Sequence, residues 1–134
     1  MNDSNTYPIG RLLLIDDNDV DQMMYKRIIQ RSGLVGETIS FLYADEALEY
    51  LKREDCPHVD AVLLDVMMPR MDGFEFLEAV TTELGDSFNG IVVVMLTTSL
   101  NPDDRARAES FDSVRDFLNK PLTVQHLESI AGML

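Results

Sequence analysis

The sequence predicts an α/β fold, a doubly wound parallel sheet of five strands in the order 2-1-3-4-5 with five helices on two faces. Two observations support this prediction. Short Val/Ile/Leu runs, typical of buried parallel strands, alternate five times with segments of helical character. This alternation favours a parallel sheet with right-handed crossovers. The chain has 134 residues, 46% of them hydrophobic, which is enough for one domain with its own core.

The first strand and helix follow a polar segment. Residues 1–10 contain a proline and a glycine and are expected to form a flexible lead-in, and residues 11–134 form the domain. Strand one is predicted at residues 12–15. Helix one begins near Val20 and stops at Gly33. Apolar residues recur at helical spacing along this segment and predict the helix: Val20, Met24 and Ile28, with Met23 and Ile29 beside them.

The middle of the chain repeats the strand and helix pattern. Residues 38–43 alternate like a strand, and residues 45–53 are rich in strong helix formers. Residues 61–64 form a continuous apolar strand that ends on Asp65. The segment 73–82 is predicted as helix three, and residues 85–90 as a loop.

The last third of the chain contains two more pairs of a strand followed by a helix. Residues 91–96 form the most uniformly apolar strand of the chain. Helix four is predicted to begin at Pro102, with either Ser99 or Asn101 as its capping residue. Residues 114–118 form strand five, and Thr123 caps the last helix. The complete order is that of a flavodoxin-like sheet, in which a ligand site is expected where strands one and three diverge.

Composition narrows the classes of partner. The chain carries 24 acidic and 11 basic residues, a net charge of -13, so nucleic acid backbones and anionic membranes would repel it. A cation or a basic protein surface is a more natural partner. The longest apolar runs are too short to span a bilayer and the first residues do not resemble a signal peptide, so a cytoplasmic protein is expected.

The cysteine and the two histidines have ordinary interpretations. Cys56 is the single cysteine, which rules out an internal disulfide. A catalytic pair of Cys56 with His58 is conceivable, but closeness in sequence does not orient such a pair, and a loop cysteine is favoured. Solvated side chains are likewise favoured for His58 and His126.

Acidic residues end the first and third strands. Asp16 and Asp17 follow strand one and Asp65 follows strand three, so the three carboxylates converge if the strands are neighbours. Such carboxylates repel one another unless some are protonated or a divalent cation neutralises them. Oxygen ligands with room for water favour Mg²⁺. Taken singly, each acidic motif could equally cap a helix or a turn.

Two further strand ends carry polar side chains. Lys120 follows strand five and precedes a proline, and its long side chain can bring an ammonium group over the same strand ends. Thr97 ends strand four with a hydroxyl group. A nucleophilic carboxylate, a metal, a cation and a hydrogen-bond donor are the groups that phosphoryl transfer to an aspartate requires.

The chain resembles the receiver domain of two-component response regulators. The resemblance runs from Arg11 to Leu134 and rests on four motifs in register, LLLIDDND, LLDVMMPRMDGFEFL, VMLTTS and DFLNKPLT. It implies that Asp65 is the phosphoacceptor. It also implies that Lys120 forms an ion pair with the phosphoryl group and that Thr97 hydrogen-bonds to it.

The resemblance further implies a set of metal ligands. Asp17, Asp65 and the carbonyl of Met67 would hold Mg²⁺ directly, and Asp16 would act through a metal-bound water. The residues two positions after the phosphoacceptor and after the threonine flank the phosphate in this family and tune hydrolysis. Here these are Met67 and Ser99. Thr98 is bulkier than the small residue usual at its position.

A switch is also implied. In the family an aromatic residue on strand five changes rotamer as the threonine moves toward the phosphate, and Phe117 occupies that position. The output face would then be helix four, strand five and helix five. Phe117 is equally compatible with an ordinary core residue.

The leading hypothesis is a stand-alone receiver rather than an enzyme. It would take its phosphoryl group from a sensor histidine kinase or a histidine phosphotransfer protein and would act on a downstream protein target. One alternative is a small magnesium-dependent phosphohydrolase, but Met67 stands where an Asp-x-Asp enzyme has its second carboxylate. The other is a receiver-like interaction module that is not phosphorylated.

Overall fold

The computed structural model describes residues 7–88 and 90–134, and residues 1–6 of the predicted lead-in lie outside this part of the chain. The described strands are β1 (Ile9–Ile15), β2 (Val35–Phe41), β3 (Ala61–Asp65), β4 (Val92–Thr97) and β5 (Val114–Asn119). The described α-helices are α1 (Asp19–Ser32), α2 (Ala44–Leu51), α3 (Gly73–Glu83), α4 (Pro102–Glu109) and α5 (Val124–Met133). A 3₁₀ turn, Gly85–Phe88, follows α3.

The strands form one parallel sheet in the order β2-β1-β3-β4-β5. This confirms the predicted flavodoxin-like fold class and strand order. The register pairs Ile15 with Leu64, Asp65 with Leu96, and Thr97 with Asn119. The carboxyl ends of β1, β3, β4 and β5 therefore meet at one edge of the sheet.

Two apolar layers cover the two faces of the sheet. One contains side chains from α2, α3 and α4, such as Leu48 and Phe76, and the other contains side chains from α1 and α5, such as Tyr25 and Leu127. Strand β3 contributes alternate residues to each layer, as the two-residue period of a strand requires. Each large apolar side chain buried in this way stabilises the fold by about 1.5–3 kcal/mol. No helix of the described residues has both the length and the apolar character needed to cross a bilayer.

The first strand starts earlier than predicted. It begins at Ile9, so Ile9 and Gly10 belong to the sheet and not to the lead-in. Ile9 is fully buried, and its backbone N–H donates to the carbonyl of Leu34. The charged Arg11 and the glycine interrupt the apolar run in the sequence, which is why the strand appears shorter there.

The apolar pattern that predicts helix one coincides only in part with its buried face: Ile29 is buried, and the other members of the pattern are exposed or partly buried. The buried residues of α1 are Gln22, Tyr25 and Ile29, whereas Val20 and Met23 are 65% and 58% exposed. Met24 is also exposed, and Ile28 is only partly buried. Both sets of residues have helical spacing, so periodicity alone does not choose between them. The helix starts at the Asn18 cap, and the chain leaving β1 directs the face that carries Tyr25 toward the sheet.

Candidate functional site

Three carboxylates meet at the carboxyl ends of β1 and β3. Asp16 and Asp17 follow β1, and Asp65 is the last residue of β3. One carboxylate oxygen from each residue lies within 4.8 Å of the other two. Asp16 and Asp65 are buried and Asp17 is exposed, so the cluster is open to solvent on one side.

Hydrogen bonds from the start of α1 hold Asp16 in place. The backbone N–H of Asn18 donates to Asp16 Oδ1 at 2.9 Å. The side-chain amide of Gln22 donates to the carbonyl of Asp16 at 2.9 Å and to the carbonyl of Phe41 at 3.0 Å. Gln22 thus links the ends of β1 and β2 beneath the carboxylate cluster. This role of Gln22 is not visible in the sequence, because a glutamine within a helix is usually solvated.

Lys120 reaches into the cluster from the end of β5. Its Nζ lies 2.9 Å from Asp16 Oδ2, 2.9 Å from Asp21 Oδ2 and 3.4 Å from Asp65 Oδ2. The backbone N–H of Lys120 donates to the carbonyl of Thr97 at 2.9 Å, so the lysine and the threonine are neighbours. The structure brings together all the strand-end residues that the sequence singled out and adds Asp21, from the first turn of α1.

The electrostatics of the cluster follow from burial and crowding. Burial, followed by the charge of Asp16, raises the pKa of Asp65 to about 7, and the nearby Lys120 only partly offsets this. Burial also raises the pKa of Asp16. Burial alone would lower the pKa of Lys120, but hydrogen bonds to Asp16 and Asp21 outweigh it and raise that pKa above its usual value. The three clustered carboxylates can therefore carry more negative charge than the single ammonium group of Lys120 compensates.

The loop after Asp65 is fixed at both ends. At its far end Asp72 and Glu75 form a capping box that starts α3. The backbone N–H of Gly73 donates to the carbonyl of Val66 at 2.9 Å, which draws the start of α3 against the end of β3. Met67 lies in this loop with a side chain that is 70% exposed.

Arg70 anchors the same loop to the start of α2. Its backbone φ of 70° is in the left-handed region, which is unusual for an arginine. Its guanidinium group stacks 3.9 Å from the ring centre of Tyr43 and makes two hydrogen bonds to Asp45, at 2.6 and 3.2 Å. The sequence alone did not reveal this contact, because the partners are 25 and more residues away.

Thr97 ends β4 next to the cluster. It is buried, and its Oγ1 accepts a hydrogen bond from the backbone N–H of Ser99 at 2.9 Å. The Ser99 hydroxyl donates to Asp104 Oδ2 at 2.7 Å, which ties the segment after β4 to α4. Thr98 is exposed.

Comparison with known proteins agrees with this geometry. The family model "Response regulator receiver domain" matches residues 12–131. The chain belongs to this receiver family. The "Probable methanogenesis regulatory protein FilR2" of Methanothrix harundinacea is 34% identical over 122 residues, which cover 87% of this chain and 76% of FilR2. Other curated relatives are longer, and the chain spans 16% of the sensory/regulatory protein RpfC of Xanthomonas campestris.

Solved receiver structures share the fold. A two-component response regulator from Cytophaga hutchinsonii superimposes with a TM-score of 0.86 at 28% identity, and the match covers 92% of this chain and 94% of the other. The Mn²⁺-bound form of the response regulator Rcp1 has a TM-score of 0.74 at 26% identity and covers 92% of this chain and 90% of the other. A metal therefore occupies at least one related structure.

The carboxylates of this receiver domain fit a hard divalent cation. Asp16, Asp17 and Asp65 offer oxygen ligands only, within 4.8 Å of one another, and one of them faces solvent. Mg²⁺ prefers such ligands and retains several waters. The raised pKa of Asp65 shows that its negative charge is not fully compensated, so a cation would favour its ionised form.

Phe117 lies on the α4 side of the receiver sheet. It is buried within the core layer formed by α2, α3 and α4. Arg105 of α4 donates to the Phe117 carbonyl at 2.9 Å, and its guanidinium group lies 5.6 Å from the centre of the Phe117 ring. A cavity of about 220 Å³ adjoins the ring, with Ser99 and Asn119 among its lining residues. The ring is in a core position in this structure and has an adjacent space.

The remaining sequence candidates do not join the site. His58 Nε2 lies 3.0 Å from Asp60 Oδ1 and is exposed, and His126 Nδ1 accepts the backbone N–H of Thr123 in the cap of α5. The Cys56 thiol donates to the carbonyl of Pro57, and burial raises its pKa. A thiol whose pKa is raised and which donates to a carbonyl is not an activated nucleophile.

Proposed function

We propose that this chain is a phosphoacceptor response regulator. It takes a phosphoryl group onto Asp65 from a phosphohistidine of a sensor histidine kinase or a histidine phosphotransfer protein, with Mg²⁺ as cofactor. The observation that carries the proposal is the buried Asp65 carboxylate with Lys120 Nζ at 3.4 Å and the carboxylates of Asp16 and Asp17 beside it. Family membership supports the same function.

The proposed transfer uses side chains at the carboxyl ends of β3, β4 and β5. An Asp65 carboxylate oxygen attacks the phosphorus, the bond from phosphorus to the histidine nitrogen breaks, and that nitrogen keeps the electron pair. Lys120 supplies positive charge to the phosphoryl oxygens from the β5 side, and the Thr97 hydroxyl donates a hydrogen bond from the β4 side. Mg²⁺, when bound, neutralises the carboxylates and the phosphoryl oxygens. We assign its ligands to Asp17, Asp65 and the Met67 carbonyl, with Asp16 acting through a bound water.

The phosphorylated form signals through α4, β5 and α5. Thr97 accepts from the N–H of Ser99, and Ser99 binds Asp104 of α4, so a movement of the threonine toward the phosphoryl group pulls on α4. Arg105 connects α4 to the backbone of Phe117. Thr98 and Ser99 flank the phosphoryl group and, with Met67, set how readily water reaches it. These contacts support Thr97 and Phe117 as the switch residues.

Charge and exposure support the proposed partners. The net charge of -13 opposes nucleic acid and anionic membranes and suits a partner with a basic patch. The exposed Val20 and Met23 lie on the first turns of α1, close to the Asp16 and Asp17 corner, where a phosphohistidine donor must approach. Several relatives carry the matching segment within proteins that are named as histidine kinases. The output is binding to a downstream protein target, not catalytic turnover.

Acetyl phosphate tests the proposal without knowledge of the natural donor. We expect wild-type protein with Mg²⁺ to gain one phosphoryl group, measured by intact mass, and to lose it on treatment with hydroxylamine, which cleaves acyl phosphates. EDTA is expected to abolish the gain. The matched variant Asp65→Asn keeps the shape of the side chain and is expected to gain nothing. Labelling of Asp65→Asn at the wild-type level, or no labelling of wild type, would refute the proposal.

A further inference from the structure

Lys120 is shared with a third carboxylate that lies outside the acidic cluster of the strand ends. Asp21, from the first turn of α1, places Oδ2 2.9 Å from Lys120 Nζ, as close as Asp16 and closer than Asp65 at 3.4 Å. Asp21 is not one of the three residues whose carboxylates converge within 4.8 Å. The ammonium group therefore lies nearer to the α1 side of the site than to the proposed phosphoacceptor.

The position of Asp21 is determined by the start of the helix. The side chain of Asn18 accepts the backbone N–H of Asp21 at 3.0 Å, which makes Asp21 the third residue of α1. From there its side chain points toward Lys120. The side chains of Lys120 and Asp21 are only 12% and 22% exposed. An ion pair so shielded is held more firmly than a pair on the open surface.

The donors of the lysine are limited. An ammonium group has three hydrogens; in this structure it donates hydrogen bonds to Asp16 and Asp21, and the Asp65 carboxylate lies at ion-pair distance, 3.4 Å away. To move closer to a phosphoryl group on Asp65, the ammonium group must therefore weaken its hydrogen bonds to Asp16 and Asp21. A cation bound by Asp16, Asp17 and Asp65 would compensate those charges, but it would leave the charge of Asp21 unchanged. Asp21 is then the strongest competitor for Lys120.

We propose that Asp21 is a positioning residue that holds the Lys120 ammonium group on the α1 side and competes with the phosphoryl group for it. The inference rests on the proposed function. Its consequence is that Asp21 weakens the phosphorylated state relative to the unmodified state. A receiver domain with a neutral residue at this position would hold its phosphoryl group, or an analogue of it, more tightly.

A second explanation for Asp21 is stabilisation of α1 through its charge alone. An acidic residue in the first turn of a helix interacts favourably with the helix dipole. Asp19 lies in the same turn and is exposed. In the described part of the chain, the carboxylates within 4.0 Å of Lys120 Nζ belong to Asp16, Asp21 and Asp65. Asp19 thus matches Asp21 in charge and helix position and differs in the contact with the lysine.

The test compares Asp21→Asn with Asp19→Asn and Asp21→Glu. Beryllofluoride, a mimic of the phosphoryl group, is titrated at saturating Mg²⁺, and the dissociation constant is read from amide resonances. We expect Asp21→Asn to bind about fivefold more tightly than Asp19→Asn, the change that loss of a competing ion pair of about 1 kcal/mol produces. Asp21→Glu, which restores the carboxylate, is expected to stay close to wild type. Urea unfolding confirms that each variant is folded.

A second readout follows the lysine directly. The ¹⁵Nζ resonance of Lys120 in the unmodified protein is expected to shift in Asp21→Asn and to remain in place in Asp19→Asn. Equal beryllofluoride affinities of the two variants, or an unchanged Lys120 resonance in Asp21→Asn, would overturn the inference while wild type still binds beryllofluoride. A wild-type protein that binds neither beryllofluoride nor a phosphoryl group would refute the proposed function, and the inference would fall with it.

Discussion

Replacing Gly73 with alanine tests how closely α3 approaches the end of β3, which carries the proposed phosphoacceptor Asp65. A Cβ atom at this position would lie 2.6 Å from the carbonyl oxygen of Asp65, 3.0 Å from the terminal methyl group of Met95 and 3.1 Å from the Cα of Val66. The methionine side chain can move away. The backbone of Asp65 and Val66 can move only if the end of β3 separates from the start of α3.

The expected cost follows from this geometry. Overpacking at a tightly packed position destabilises a protein by about 1–3 kcal/mol, and the higher helix propensity of alanine offsets at most about 1 kcal/mol at the first position of a helix. We expect Gly73→Ala to lower the free energy of unfolding by about 1–2 kcal/mol. Because the displaced atoms belong to Asp65, its rate of labelling by acetyl phosphate is expected to fall as well.

The same substitution in α5 provides a matched control. A Cβ atom on Gly132 meets no atom within 4 Å, so Gly132→Ala adds only helix propensity, and we expect it to raise stability by about 0.5–1 kcal/mol. Urea unfolding of both variants measures the two changes, which have opposite signs. If Gly73→Ala were as stable as wild type, the close contact between α3 and β3 would not exist in solution.

Three further predictions concern the acceptor, the first helix and the loop. Because the pKa of Asp65 is raised to about 7, the folded protein without Mg²⁺ holds this proton more tightly than the unfolded chain, so stability falls as pH rises from about 4 to 7. In EDTA, Asp65→Asn is expected to reduce this fall, and Asp16, whose pKa burial also raises, contributes the remainder. An unchanged pH dependence of urea unfolding would contradict the assignment. Ile29→Ala is expected to cost about 2–4 kcal/mol and Met23→Ala less than about 0.5 kcal/mol, and equal costs would contradict the observed face of α1. Arg70→Ala loses the contacts of the guanidinium group but keeps the strained backbone, so we expect it to lower the free energy of unfolding by about 1 kcal/mol. Arg70→Gly also loses these contacts but relieves the backbone strain, so we expect its free energy of unfolding to lie closer to that of wild type.

Much of the fold could be predicted because its central strands, β3 and β4, are buried on both faces. A strand such as β4 is apolar at nearly every position, so its limits are visible in the sequence, and the alternation with helices then determines the strand order. The strand-end residues were also visible, since Asp65, Thr97 and Lys120 each interrupt or follow an apolar run. The parallel arrangement brings such ends to one edge of the sheet.

Other features depend on contacts that the sequence does not encode locally. Helix α1 has apolar residues on two faces, and only the direction in which the chain leaves β1 decides which face is buried. The role of Asp21 requires that Lys120 reach across from β5, 99 residues away. Arg70 similarly depends on Tyr43 and Asp45, which are distant in sequence and adjacent only after α2 and α3 have docked.

Helix α4 is anchored in a different way from its neighbours. Ala108 is its only buried residue, and its other contacts are made by polar or charged side chains, among them the hydrogen bond from Ser99 to Asp104 and the hydrogen bond from Arg105 to the Phe117 carbonyl. Moving a helix with large buried side chains would open cavities, which cost several kcal/mol. Moving α4 instead exchanges hydrogen bonds with water, at a net cost of about 1 kcal/mol for each. Amide hydrogens in α4 should therefore exchange with deuterium sooner than those of α3, through openings confined to this one helix.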